Sequence, residues 1–268
     1  VAPRRRLDAE LVRRKLARSR EHAATLVADG RVRIAGMTAT KPATSVDPAV
    51  ALVVVEAPTG EDYVSRGGHK LAGALDVFAA HGLAVSGRWC LDAGASTGGF
   101  TDVLLRRGAA GVVAVDVGYG QLAWSLRSDP RVQVHDRTNV RDLTPDMMDA
   151  PADLVVGDLS FISLRLVLPA LREIAADGAD FVLMVKPQFE VGKDRVGKGG
   201  VVREPGLRAE AVHAVAASAA EIGLGCAGVT ASPLPGPSGN VEYFLWLRAG
   251  APAPDPATIR RAVEEGPQ

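Results

Sequence analysis

The sequence has only two cysteines, Cys90 and Cys226, and neither sits at a metal-ligand spacing. That argues against a zinc site or a disulfide framework, and both read as buried packing thiols suited to a reducing cytosol. No apolar run approaches the roughly 18–20 residues that cross a bilayer, and no secretory signal is visible. A membrane-spanning or pore-forming protein is set aside on that ground, and a cytoplasmic one is expected. Net charge is missing too, with 31 Lys/Arg against 31 Asp/Glu. The balance hides a segregation. Residues 1–41 carry eleven Lys/Arg and four acids, a charge of +7, and the rest of the chain carries −7. With 268 residues and 47% hydrophobic composition, there is material for one sizeable core and a small satellite domain.

The centre of the larger part is Leu91-Asp92-Ala93-Gly94-Ala95-Ser96-Thr97-Gly98-Gly99-Phe100. It follows the apolar run Trp89-Cys90-Leu91 and leads into Thr101-Asp102-Val103-Leu104-Leu105, which has helical spacing. A strand, a glycine turn and a helix make a backbone cradle that brings N–H groups against a ligand. Val112 to Val115 reads as a second buried strand ending in Asp116, where a nucleotide-type cofactor's ribose hydroxyls would be held. Asp92 beside the turn would repel a pyrophosphate and attract a cation. S-adenosylmethionine, an adenosyl group with an amino-acid tail and a positive sulfur, is therefore the expected cofactor.

The basic start reads as two short helices followed by strands. Leu7 to Leu16 has one apolar face with Asp8 as its cap, and Ser19 caps a second helix from Arg20 to Asp29. Val32-Arg33-Ile34, the Ala35-Gly36 turn and the run 49–55 supply short strands. Arginines at helix starts form a platform for nucleic-acid phosphates, a solvated helix face being the plain alternative. The residues Arg6-Leu7-Asp8, Arg18-Ser19-Arg20, Gly30-Arg31-Val32 and Lys41-Pro42-Ala43 resemble the S-four RNA-binding fold named for a ribosomal protein.

Further along, Tyr63 to Lys70 opens a helical pattern through Leu71, Leu75 and Phe78, and Gly118 to Leu122 reads as the opening of a short helix. A lysine at position 70 gains nothing from the helix dipole and could be an ordinary surface residue. Val132-Gln133-Val134 reads as a third strand, and the loop after it carries Asn139, an amide able to read adenine's edge or simply to form a turn. Two more buried strands, 153–157 and 181–185, end in Asp158 and Lys186. Carboxyl ends of parallel strands face the ligand crevice, so this pair points to the same place as the glycine turn. A purely structural ion pair is the alternative. Val191 to Gly200 reads as a mobile loop whose three cations suit a polyanion. Leu207 to Ile222 reads as a helix, 226–229 and 243–247 as closing strands, and Glu242 enters the last strand beside a Pro/Gly loop.

In order, Ser65-Arg66-Gly67-Gly68-His69-Lys70-Leu71, Asp92 to Thr101, Asp158-Leu159-Ser160-Phe161-Ile162-Ser163, Lys186-Pro187-Gln188-Phe189-Glu190 and Ser238-Gly239-Asn240-Val241-Glu242 resemble the TlyA family. The resemblance runs nearly the full length and weakens at 194–198 and after Arg248. It implies a small N-terminal α+β RNA-binding domain (1–58), a linker (59–64) and an FtsJ-like methyltransferase domain (65–268). The latter would be α/β, a Rossmann-like, mostly parallel sheet with helices on both faces. It implies 2′-O-methylation of cytidines in the ribosomal RNA of ribosomal subunits, of the large subunit and also the small, supporting sensitivity to capreomycin-type antibiotics. It implies a Lys70, Asp158, Lys186, Glu242 catalytic tetrad. The expected cofactor contacts are Asp92, Gly94, Ser96, Thr97, Gly98, Gly99, Phe100, Asp116, Asn139 and Asp158. The expected RNA contacts are Arg4, Arg6, Arg18, Arg20, Lys41, Arg66 and Lys193. No membrane and no metal enters.

The tetrad makes chemical sense in itself. A ribose 2′-hydroxyl is a poor nucleophile at neutral pH, so a base must take its proton, and a lysine serves where its surroundings favour the neutral amine. Lys186 is the expected base and Lys70 the neighbouring cation that holds ribose or phosphate. Asp158 orients Lys186 and attracts the sulfonium, and Glu242 positions a lysine or the hydroxyl.

Overall fold

The computed structural model describes residues 4–17, 19–28, 30–55, 63–236 and 239–267, with backbone only for Glu21 and Ala28. The chain divides into two units, Val1–Arg66 and Gly67–Gln268. Arg18, Asp29, Ser238 and the linker residues up to 62 lie outside the described residues.

The first unit runs β1 (Arg5–Arg6), α1 (Leu7–Arg13), α2 (Arg20–Ala28), β2 (Val32–Ile34), β3 (Met37–Thr38), β4 (Ser45–Val46) and β5 (Leu52–Val54). β1 pairs antiparallel with β4, and β3-β2-β5 form a second small sheet. Leu7 and Leu11 of α1 and Ala23, Leu26 and Val27 of α2 fall at i, i+3 or i+4 and bury one stripe of each helix against Val32. Ser19 Oγ accepts the His22 amide at 3.0 Å and so caps α2, as its position suggests. Asp8 does not cap α1. Arg6 holds the cap position and Asp8 sits inside the first turn, where its carboxylate serves arginines instead. Only 52–54 of the expected strand 49–55 is paired.

The second unit runs α3 (Arg66–Ala79), β6 (Trp89–Ala93), α4 (Gly99–Arg106), β7 (Gly111–Val115), α5 (Trp124–Arg127), β8 (Val132–His135), β9 (Ala152–Gly157), α6 (Leu168–Glu173), β10 (Ala175–Val185), α7 (Pro187–Glu190), α8 (Pro205–Glu221), β11 (Leu224–Ala231), β12 (Tyr243–Ala249) and α9 (Pro256–Glu265). Seven strands form one sheet in the order β11-β12-β10-β9-β6-β7-β8. β8, β7, β6, β9 and β10 are parallel, and β12 runs antiparallel to both β10 and β11. The inner strands are near-continuous Val, Leu and Ala because both faces are covered. Strand order reverses between β6 and β9, which opens a crevice at their carboxyl ends.

Register sets the site. Ala93 lies level with Val115 on one side and Gly157 on the other, and Gly157 with Leu183. Gly94, Asp116, Asp158 and Lys186 therefore leave the sheet along one edge. Val185 lies opposite Tyr243, and the reversed direction of β12 brings Glu242 to that same edge. The short helix expected to open at 118–122 is present as α5 but starts only at Trp124. The Gly118 amide goes to Asp116 Oδ1 and the Gly120 amide to Asp136, which holds the chain in a loop until Trp124.

Candidate functional site

A cavity of about 560 Å³ lies in the crevice, a size usual for small-molecule sites. Its walls come from Gly94 and Ser96 after β6, Asp116 and Val117 after β7, Asn139 and Val140, and Asp158 to Ile162 after β9. Gly94 has φ +85, and a Cβ there would stand 2.8 Å from the Asp158 carbonyl oxygen. Only glycine lets these two strand ends approach so closely. Asp116 is fixed by two backbone donors, the Ser96 amide at 2.8 Å and the Gly118 amide at 2.7 Å, and presents its carboxylate at the cavity wall. Asn139 Oδ1 accepts the Arg141 amide at 3.0 Å, so Asn139 forms a turn and also lines the cavity.

Other residues expected at the cofactor lie beneath the cavity or beside it. The amides of Gly94, Ala95, Ser96 and Gly98 are spent on Val115, Asp116 and Ala95, so the turn offers fewer free donors than its glycines suggest. Gly98 has φ +97, and a Cβ on it would meet Leu126 Cδ1 and Leu122 Cδ1, at 2.3 and 2.8 Å. Its smallness serves packing. Gly99 is buried at the start of α4, Phe100 packs on Phe244 with ring centroids 6.0 Å apart, and Thr97 accepts the Ala123 amide. Asp92 is fully buried and accepts the Thr101 hydroxyl at 2.6 Å through Oδ2, while Oδ1 has no hydrogen-bond partner among the described residues. Burial pushes its carboxyl up to about 7, the Thr101 bonds oppose the shift, and the charges of Asp158 and Asp116 add to it.

A second cavity of about 330 Å³ shares Ser160 and Phe161 with the first and is lined by Lys186, Gln188, Asn240 and Glu242. Lys186 Nζ stands 2.5 Å from Asp158 Oδ1 and donates to Ser160 Oγ at 2.8 Å. Lys70 is no surface lysine. It is buried and donates to Glu242 Oε2 at 2.5 Å. Two lysine–carboxylate pairs thus stand along one edge, the first bordering the cofactor-sized cavity and both reaching the second.

Several contributors carry no strong signal in the sequence. Phe161 is 91% exposed at φ +64 and pairs with Phe189, centroids 5.2 Å apart. Ser160 holds Lys186, and buried Glu190 accepts the Leu164 amide and the Ser163 hydroxyl, tying the 158–164 loop to α7. Their place in the Asp158–Ser163 and Lys186–Glu190 runs was the available hint.

The expected RNA contacts are spread over both units. Arg6 and Arg20 are more than half exposed and share the Asp8 carboxylate, which they hold well below the ordinary range, the Arg6 bond most strongly. Arg4, Lys41 and Lys193 are exposed, and Arg66 is half-buried at the start of α3. Of the three cations in 191–200, Arg195 is turned back onto Glu210. Cys90 is buried, its thiol pushed up to about 12 by desolvation, whereas Cys226 is only half-buried. Among the described residues there is no cluster of three or more potential metal ligands and no helix long and apolar enough to cross a membrane.

A doubly wound sheet with a glycine turn after its first strand and a cavity at the strand-order switch defines a Rossmann-like domain with a small-molecule site. The FtsJ-like methyltransferase family matches residues 63–249, and the S4 domain matches residues 5–50. The chain is 61% identical to the 16S/23S rRNA (cytidine-2′-O)-methyltransferase TlyA of Mycobacterium tuberculosis, covering all of both chains. It is 36% identical to Hemolysin A of Brachyspira hyodysenteriae, covering 89% of this chain and 98% of that one. A solved structure described as a "putative hemolysin" from Streptococcus thermophilus superposes with a TM-score of 0.76 at 39% identity, covering 99% of this chain and 96% of that one. The chain belongs to the TlyA family of FtsJ-like methyltransferases.

Proposed function

We propose that the protein transfers a methyl group from S-adenosylmethionine to the ribose 2′-hydroxyl of cytidines in ribosomal RNA of both subunits. The observation that carries the reading is the pair of lysine–carboxylate contacts, Lys186–Asp158 and the buried Lys70–Glu242, each at 2.5 Å, beside two adjoining cavities. The 61% identity to an enzyme named for cytidine 2′-O-methylation of 16S and 23S rRNA supports the substrate. The residues fit the cofactor. Gly94 makes room at the strand ends, Asp116 retains lone pairs for ribose hydroxyls beyond its two amide partners, and Asp158 offers a negative charge to a cationic centre.

S-adenosylmethionine supplies an electrophilic methyl group on a positive sulfur. Lys186 is the proposed acceptor of the 2′-hydroxyl proton at Nζ, with Asp158 and Ser160 placed to hold the ammonium that results. Glu242 fixes Lys70, whose ammonium holds the ribose or its phosphate. Phe161 and Phe189 present aromatic faces at the second cavity, suited to stacking an unpaired base. The N-terminal unit supplies phosphate contacts through Arg6, Arg20 and Lys41. Incubation of purified bacterial ribosomal subunits with methyl-labelled cofactor tests this. Label on cytidine 2′-oxygens is expected, and label on bases, or none, would overturn the reading.

A further inference from the structure

On the first unit, one acid stands among the cations. Asp8 Oδ2 accepts Arg6 Nη2 at 2.8 Å and Arg20 Nη2 at 3.0 Å, while Oδ1 accepts Arg6 Nε at 3.1 Å and the Ala9 amide at 2.7 Å. The acid is buried and both guanidinium groups are more than half exposed. The Asp8 amide in turn donates to Pro42 O at 2.9 Å, which brings the Lys41 loop alongside. Contrast Glu10 on the same helix. It binds Arg13 and Arg14, but Arg14 also donates to Pro48 O and Val50 O and is largely covered, a brace within the fold.

By simple charge counting, a carboxylate on a surface that binds a polyanion is a defect. Its geometry says otherwise. Without Asp8, two guanidinium groups side by side repel and swing apart, and RNA must order both long side chains on binding. With Asp8, both are ordered beforehand, and Arg6 Nη1 and the remaining N–H groups of Arg20, unpaired among the described residues, are left for phosphate oxygens. We propose that Asp8 is a positioning residue for RNA phosphate, and that neutralising it weakens RNA binding although the domain becomes more cationic. This rests on the ribosomal RNA reading above.

The test measures binding of the full-length protein to purified bacterial 50S subunits by competition filter binding. Asp8→Asn is compared in two backgrounds, wild type and Arg6→Gln/Arg20→Gln. In the wild-type background, Asp8→Asn is expected to weaken binding about fivefold or more at about 0.15 M salt. In the double-glutamine background it is expected to change nothing or to tighten binding, since only the charge effect remains. Unchanged or tighter binding in the wild-type background would overturn the proposal. So would an equal loss in both backgrounds, which would place Asp8 in the stability of the fold. If Asp8→Asn loses its helical circular dichroism, Asp8→Ser, which keeps an acceptor for the Ala9 amide, takes its place in the same cycle. Failure of the wild-type protein to bind subunits would overturn the RNA reading itself, before any variant is compared.

Discussion

Lys70 and Glu242 are 172 positions apart in the chain and meet at 2.5 Å with side chains only 8% and 1% exposed. Removing one partner leaves the other as an uncompensated buried charge. Glu242→Gln should cost about 3–5 kcal/mol in urea unfolding, well above the loss for an exposed pair. Lys70→Met/Glu242→Leu should recover most of that stability with no methyl transfer. A Glu242→Gln loss below about 1 kcal/mol would show the pair to be solvated.

Lys186 separates chemistry from structure. As the base it cannot be replaced by arginine, which keeps its proton in proteins. Lys186→Arg and Lys186→Ala should both abolish single-turnover methylation of subunits while cofactor and RNA affinity persist. A merely structural Lys186–Asp158 pair predicts a working arginine variant and an alanine variant with a lowered melting temperature. Near-normal turnover by Lys186→Arg would remove Lys186 from the role of base.

The two glycines of the turn should fail differently. Gly94→Ala drives a Cβ against the Asp158 carbonyl, so the wall of the cavity must shift and calorimetric affinity for S-adenosylmethionine should fall. Gly98→Ala meets the leucines of the adjacent loop and α5 and should cost roughly 1–3 kcal/mol of stability through overpacking and backbone strain. Its cofactor affinity, measured well below the melting temperature, should fall less than that of Gly94→Ala. The reverse order would contradict the assignment of Gly94 to the cavity.

Asp92 makes stability depend on pH. Its folded-state pKa is raised to about 7, so the native protein holds this proton more tightly than the unfolded chain does. The stabilisation is complete below the ordinary aspartate value near 4 and is lost as pH rises towards about 7. Asp92→Asn stays neutral throughout. The variant should match the wild type near pH 4 and exceed it by on the order of 2–4 kcal/mol at pH 8. Parallel stability curves across that range would show that Asp92 does not hold its proton.

The strands and their ends were legible because buried parallel strands are continuous apolar runs, and a charged residue closing such a run stands out. Asp116, Asp158 and Lys186 are three such closures. The local role of each turn residue was not legible. Nothing in the spacing of Phe100 or Gly98 says that one packs on Phe244 and the other yields to Leu122 and Leu126, because those partners arrive from distant strands and loops. Nor does a loop such as 118–123 show that Asp116 and Asp136 will take the amides a helix would need. Long-range pairs such as Lys70–Glu242 depend on β12 running backwards, a feature of topology that hydrophobic pattern does not encode.

That backward strand also has a consequence in time. β11 is synthesised before β12, yet β12 occupies the place between it and β10. Until β12 leaves the ribosome, the edge of β10, with its run Phe181-Val182-Leu183-Met184-Val185, has no neighbour on that side and is open to mispairing with other chains. In a growing polypeptide Lys70 also waits for its carboxylate. The last strand to be made therefore both fills the sheet and completes the lysine–carboxylate set, so a chain that stops short of it is prone to aggregate and lacks one of the two pairs.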